Sequence, residues 1–272
     1  MKIPLYQVDA FTDKVFGGNP AAVCPLESWL DTELMQQIAM ENNLSETAFY
    51  VPKGKDFEIR WFTPCIEIDL AGHPTLAAAH VIFNHTDYAH DNIIFYSKSG
   101  SLSVSRSKDL LNMDFPSRPP ERAAAPEALL TGLGVQPLEV WKARDFLVLY
   151  PSEAEVLSIQ PKFDQLAEVD CLGIIITAEG EHSDFVSRFF APRAGINEDP
   201  VTGSAHTTLI PYWAKRLDKN ALHAYQVSKR RGELFCRYQE DRVTISGRAV
   251  TFLKGTIDVA GKCCPTSNGH QW

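Results

Sequence analysis

Three short stretches of the chain carry side chains suited to moving a proton. In "NNLSETAFY", residues 42–50, Glu46 sits in a loop that leads into apolar strand sequence. A carboxyl group held against apolar residues has its pKa raised by desolvation, which an acid/base catalyst needs. The plainer reading of Glu46 is an exposed turn acid. In "AGHP", residues 71–74, His73 stands at a helix start with Pro74 just inside, where a missing N–H costs nothing. The plainer reading there is a histidine that caps the helix. In "NEDPVTGSAH", residues 197–206, Asp199 and Ser204 bracket a turn that opens another helix. An Asp before a helix also satisfies orphan N–H groups, and the Ser can be no more than a small residue in a tight helix.

Both turns share a physical property. A helix N-terminus presents free N–H groups and about half a positive charge, so it favours an anion. Two such starts across one cleft would suit a small molecule carrying a carboxylate.

An internal repeat supplies the means of bringing them together. "RWFTP" at residues 60–64 recurs as "RFFAP" at residues 188–192. "AGHPTLAAAHVIF" from residue 71 lines up with "TGSAHTTLIPYW" from residue 202 when three residues are inserted. "SKSGSLSVSRSKDLLNMDF" from residue 97 then lines up with "SKRRGELFCRYQEDRVTIS" from residue 228. Three weak matches in one order, at nearly one offset, indicate a duplication. The expected architecture is two similar domains, residues 1–117 and 118–272, with residues 117–126 as linker. Residues 71–83 and 202–213 read as equivalent central helices, and residues 31–42 as an amphipathic one. The run Ala77-Ala78-Ala79 suits a helix packed down the middle of a barrel of strands.

Composition narrows the function classes. A chain of 272 residues, 44% hydrophobic and 22% charged, is ordinary for a soluble protein and long for one core. With 26 basic against 34 acidic residues, the net charge of −8 offers no sequence-wide attraction to nucleic acid or anionic membrane. No apolar run approaches the roughly 20 residues of a membrane span. The N-terminus runs straight into strand-like sequence, and six scattered cysteines show no C-x-x-C spacing. A reduced, cytoplasmic protein is expected. "FGGNP" at residues 16–20 is a glycine-rich turn bearing Asn19, but no G-x-G-x-x-G, Walker or H-E-x-x-H pattern occurs. Neither a nucleotide cofactor nor a metal is therefore expected.

The motifs together resemble the PhzF-like (phenazine biosynthesis-like) isomerase family, within the diaminopimelate epimerase-like fold. The likeness runs through "VDAFTDKVFGGNPAAV", "NNLSETAFY", "RWFTP", "DLAGHPTLAAAH", "RFFAP" and "EDPVTGSAH". It implies an α+β fold of two pseudo-symmetric domains, each a barrel-like mixed or antiparallel sheet wrapped around a central helix, with the active site in the cleft. By the same resemblance Glu46 is the catalytic carboxylate, and His73, Asp199 and Ser204 surround the substrate, with Asn19 and the backbone of Gly72 and Gly203 helping to bind it. Epimerases of the wider fold carry a cysteine at each helix start, where this chain has Ala71 and Thr202. A two-thiol exchange across a stereocentre is thereby excluded. One carboxylic base remains, suited to a cofactor-independent proton shift, a double-bond migration on a small carboxylated substrate. The family's characterised reaction isomerises a dihydro-hydroxyanthranilate, but catalytic residues carry over between relatives better than substrates do. The alternative is a non-catalytic binder or regulatory protein using the same cleft, and assembly as a homodimer stays open.

Overall fold

In the computed structural model, residues 1–259 are described; Cys263 and Cys264 lie outside the described residues. The first half runs β1 (Lys2–Ala10), β2 (Asn19–Pro25), α1 (Thr32–Asn42), β3 (Glu46–Lys53), β4 (Asp56–Phe62) and β5 (Glu67–Ile68). It continues through α2 (His73–His85) to β6 (Asn92–Ser97), β7 (Gly100–Ser107) and β8 (Leu110–Pro116). The second half has β9 (Glu121–Arg122), α3 (Glu127–Leu133), β10 (Glu139–Lys142), β11 (Phe146–Leu149), α4 (Glu153–Ser158) and α5 (Phe163–Leu166). After these come β12 (Ile174–Glu179), β13 (Phe185–Ala191), β14 (Ile196–Asp199) and α6 (Gly203–Leu217). Strands β15 (Ala221–Gln226), β16 (Gly232–Gln239), β17 (Arg242–Gly247) and β18 (Ala249–Asp258) close the described chain.

The two halves repeat one pairing scheme. In the first, β1–β2 is antiparallel, β2–β3 parallel and β3–β4 antiparallel; β4 then takes β5 antiparallel and β6 parallel, and β6–β7–β8 form a meander. The second repeats this with β10, β11, β12, β13, β14, β15, β16 and β17. Even an ion pair recurs. Arg60 grips Glu67 through two nitrogens at 2.7 and 2.9 Å, and Arg188 grips Glu198 at 2.8 and 3.0 Å. Each follows from the arginine that opens the repeated "RWFTP" and "RFFAP".

The halves are stitched by β8, which pairs with β17, and by an exchange of outer strands. Strand β18 returns to pair with β1, and the short β9 pairs with β10. Residues 121–122, expected as linker alone, therefore form a strand. The cause is backbone pairing to β10, which composition does not encode.

Helices α2 and α6 are the cores of the two barrels. Their residues are buried around almost the whole circumference, the state of a helix surrounded by strands rather than lying on a surface. Ala77, Ala78 and Ala79 are fully covered, and their small side chains let β1, β2 and β3 close around α2. In α6, Trp213 is likewise buried. Its ring stacks on Phe185 with centroids 5.6 Å apart, and its Nε1 donates to Thr177 Oγ1 at 3.0 Å. Helix α1 covers the outside of β3 and β4 with Met35, Ile38 and Ala39, as its periodicity predicts.

Trp213→Ala removes this ring from a site only 1% exposed. Urea unfolding should show a loss of about 3–5 kcal/mol. A loss under about 1 kcal/mol would mean that α6 is not the packed centre of its barrel.

Candidate active site

The site forms where the two central helices begin. A Cβ built on Gly72 would lie 3.5 Å from the Gly203 Cα, and one on Gly203 would lie 3.6 Å from the Gly72 Cα. The starts of α2 and α6 thus abut, with glycine on each side of the contact. Neither helix has a side-chain cap. His73 and Asp199 are therefore not the capping residues that the plainer sequence readings make them.

Around this junction the side chains join in a chain of contacts. Asn19 opens β2 and is fully buried. Its Nδ2 lies 2.8 Å from Asp199 Oδ1 and 2.9 Å from the Val201 carbonyl, with His73 Nδ1 at 3.2 Å. On the other edge of the imidazole, His73 Nε2 is 3.0 Å from Glu46 Oε2. That pair is close but not aligned as a hydrogen bond, and neither atom has another partner among the described residues. Glu46 is the first residue of β3 and its side chain is only 14% exposed, so it is not a solvated turn acid.

Local structure holds each of these groups in place. Asn19 follows Gly18, whose φ is +59° and whose Cβ would stand 2.0 Å from the Ala10 carbonyl oxygen. Only glycine fits that turn. Arg230, from the second half, donates to the Gly17 and Gly18 carbonyls and to buried Asp9, each at 2.8 Å. On the far side, Thr202 Oγ1 donates to Asp199 Oδ2 at 2.5 Å. Buried Gln226 donates to the Asp199 carbonyl at 2.7 Å and accepts from the Thr202 N–H at 2.8 Å.

Of the residues singled out in the sequence, Asn19, Glu46, His73 and Asp199 meet directly, and Gly72 and Gly203 form the junction. Ser204 stands one residue farther along α6, and its Oγ accepts from Arg144 Nη2 at 3.1 Å. Sequence reasoning missed Arg144, Thr202 as the donor to Asp199, Gln226 and Arg230. Only Thr202 had a signal, its position between Asp199 and the helix.

Burial sets the electrostatics. It raises the Glu46 pKa well above the usual carboxylate range, and the like charge of Asp199 adds to the effect. Asp199 is also raised by burial, but hydrogen bonds from Thr202 and Asn19 oppose the shift. Burial lowers His73 to about 3, against the pull of the Pro20 carbonyl, so its ring is neutral near pH 7. The arrangement can therefore exchange one proton at Glu46 beside a neutral imidazole. An open groove of about 640 Å³, lined by Pro4, Leu26, Pro52 and Tyr88, shares none of these residues.

The repeat shows that the acids are not duplicated. Thr47 pairs with Phe62 and Ile174 with Phe190, so the counterpart of Glu46 is Gly173. A Cβ there would meet the Phe189 ring at 2.1 Å, so the counterpart position is closed by an aromatic side chain. Likewise Trp61 pairs with Ile68 where Phe189 pairs with Asp199, which makes Ile68 the counterpart of Asp199.

Two like barrels with abutting helix starts define a protein of the epimerase and racemase fold. A hydroxyproline epimerase from Agrobacterium vitis superposes with a TM-score of 0.60 at 11% identity, covering 94% of this chain and 91% of that one, a likeness of fold alone. The model of the phenazine biosynthesis-like protein family matches residues 8–255, and the chain belongs to that family. A crystal structure of a PhzF family protein from Enterococcus faecalis superposes with a TM-score of 0.94 at 48% identity, over 95% of this chain and 100% of that one. An uncharacterized isomerase of Pseudomonas aeruginosa is 50% identical over 257 residues, covering 94% of this chain and 99% of its own length. A human phenazine biosynthesis-like domain-containing protein is 38% identical over 286 residues, again 94% of this chain and 99% of its own. No helix among the described residues is long and apolar enough to cross a membrane.

A raised acid makes stability depend on pH. Because Glu46 holds its proton more tightly folded than unfolded, its contribution is present below its unfolded pKa and is lost as pH rises through the folded value. Glu46→Gln removes that loss. The melting temperature of the variant relative to the natural chain should rise between about pH 5 and about pH 8, each unit of pKa elevation being worth about 1.4 kcal/mol. A difference that stays flat over that range would mean Glu46 titrates like a solvated acid.

Proposed function

We propose that the protein is an isomerase in which Glu46 shifts a proton along a small, carboxylated, unsaturated substrate. The observation that carries this reading is that, of the two carboxyls at the helix junction, only Glu46 has a buried oxygen without a hydrogen-bond partner among the described residues, and its pseudo-symmetric counterpart is Gly173 under an aromatic ring. One base that removes and returns a proton on the same face moves a double bond. Inverting a stereocentre by direct exchange needs a second group on the opposite face.

The step balances without a redox partner. Ionised Glu46 takes a proton from a carbon next to the unsaturation, and the C–H electron pair moves into the conjugated system. The double bond migrates, and Glu46 returns the proton to a carbon farther along. Proton transfer is all the carboxyl has to supply, so the step calls for no cofactor. A pKa raised by burial lets one group both accept and release the proton near neutrality. Neutral His73 orients Glu46, and Asn19 and Asp199 hold polar groups of the substrate. The free N–H groups at the starts of α2 and α6 face the negative charge that builds up as the C–H bond breaks.

The test pairs a binding screen of small carboxylates with deuterium incorporation from solvent. Glu46→Gln keeps the shape and removes the titratable group. Its turnover should fall about 100-fold or more while binding by calorimetry changes by less than about threefold. Exchange at the natural rate in the variant places the base elsewhere. Ligands that bind the natural protein tightly and never exchange a proton favour a non-catalytic binder.

A further inference from the structure

Arg144 lies outside the quoted motifs, yet it reaches the helix junction. It stands in the three-residue turn between β10 and β11, where Lys142 pairs with Phe146. Asp145, next to it, is 1% exposed and takes one edge of the guanidinium: Nε lies 3.2 Å from each carboxylate oxygen, and Nη2 lies 2.8 Å from Oδ2. A buried carboxylate on that edge fixes the plane of the fork. Nη2 then uses its remaining N–H, on the end shared with Nη1, to donate to Ser204 Oγ at 3.1 Å.

Two consequences follow from the donor arithmetic. Ser204 Oγ accepts from Arg144, so its own proton is free to donate elsewhere. Nη1 has no hydrogen bond among the described residues, and one of its N–H groups shares the guanidinium end that faces Ser204. Arg144 Nη1, Ser204 Oγ–H and the free N–H groups of the first turn of α6 thus form one set of donors with no acceptor. At the same junction His73 Nε2, Glu46 Oε2 and Asn19 Oδ1 are buried without a hydrogen-bond partner among the described residues.

The pseudo-symmetry explains why an arginine can stand here. The pairings Ala22 with Thr47 and Phe146 with Ile174 make residues 143–145 the counterparts of residues 19–21. The start of β2, which carries Asn19 and Pro20, therefore has its equivalent in the turn that carries Ala143 and Arg144, with Arg144 in the place of Pro20. The first places an amide against Asp199 and His73, and the second places a guanidinium against Ser204.

We propose that Arg144, held flat by buried Asp145, is a substrate-positioning residue that anchors the substrate carboxylate together with Ser204 and so fixes which carbon lies under Glu46. The substrate class is then a carboxylate whose acid group sits at the α6 start, with its unsaturation directed toward Glu46. This rests on the proposed isomerase reading for its consequence, but the anchor itself is tested separately.

The probe is benzoate, with benzamide as the neutral isostere, titrated to about 50 mM while the Arg144 side-chain and Ser204 amide NMR signals are followed. Benzoate should shift both signals with saturation, and benzamide should bind at least about tenfold more weakly. Arg144→Lys keeps the charge and loses the fork, so its benzoate affinity should fall about tenfold with benzamide binding unchanged. A purely structural arginine would not discriminate between the two probes. No shift at Arg144 and Ser204, equal shifts with benzamide, or natural affinity in Arg144→Lys would each overturn the anchor. Solvent exchange is read separately, so its failure with an intact benzoate response removes the isomerase step alone.

Discussion

The structure depends on two helix starts placed end to end. Each carries an uncompensated positive end, and bringing like ends to within van der Waals contact of glycine backbones is unfavourable unless negative charge is near. Both barrels must hold their helices rigidly to sustain the contact, and burial of α2 and α6 on nearly all sides does so. Glycine at 72 and 203 keeps side chains out of the junction, so the N–H groups are not covered by the protein's own atoms. The result is a small region of positive potential sheltered from bulk water, where an anionic substrate or a developing carbanion is stabilised more than in water.

A duplicated frame makes two equivalent ends, and the chemistry arises where the copies differ. Gly173 is the counterpart of Glu46 and Ile68 that of Asp199, so each half contributes one acid. The ion pairs Arg60–Glu67 and Arg188–Glu198, which carry no such asymmetry, are kept in both halves and brace the same turn. The bracing ion pairs and the glycine at each helix start are thus repeated, and the acids at the junction are not. A second base opposite Glu46 would need space that the Phe189 ring fills.

Much of this was legible in the chain. The repeat was visible because its markers are local, such as an arginine before a pair of aromatic residues in a strand, a small residue at a helix start and a glycine at the head of a hairpin. Glu46, His73, Asp199 and Asn19 were visible through their neighbours in the same way. Contacts made by backbone pairing were not. Nothing in "PPERAAAPE" distinguishes the β9 strand from a loop, because two residues are too few for a period to show. Arg144, Gln226 and Arg230 were hidden for another reason. Each reaches the site from a turn or strand far away in sequence, and an arginine beside an aspartate in a hairpin reads as an ordinary surface pair until Asp145 is seen to be buried.

The two acids at the junction cannot both be ionised cheaply, and their hydrogen bonds decide which one gives way. Burial raises both. Asp199 receives donors from Thr202 and Asn19, which stabilise its anion, whereas Glu46 faces only an unaligned ring nitrogen. The charge therefore settles on Asp199 and the proton on Glu46. The ordered acid is fixed by a threonine, an asparagine and the glutamine behind them, and it raises the other by its charge. The neutral imidazole between them adds no charge to quench that effect. In the proposed cycle the division matters, because a carboxyl raised toward neutrality is ionised in a share of molecules, and that share can take the substrate's proton and hold it until it is returned. The base is thus made by its surroundings. A glutamate at the head of a strand becomes a proton carrier because a second acid, already satisfied, stands across the helix junction.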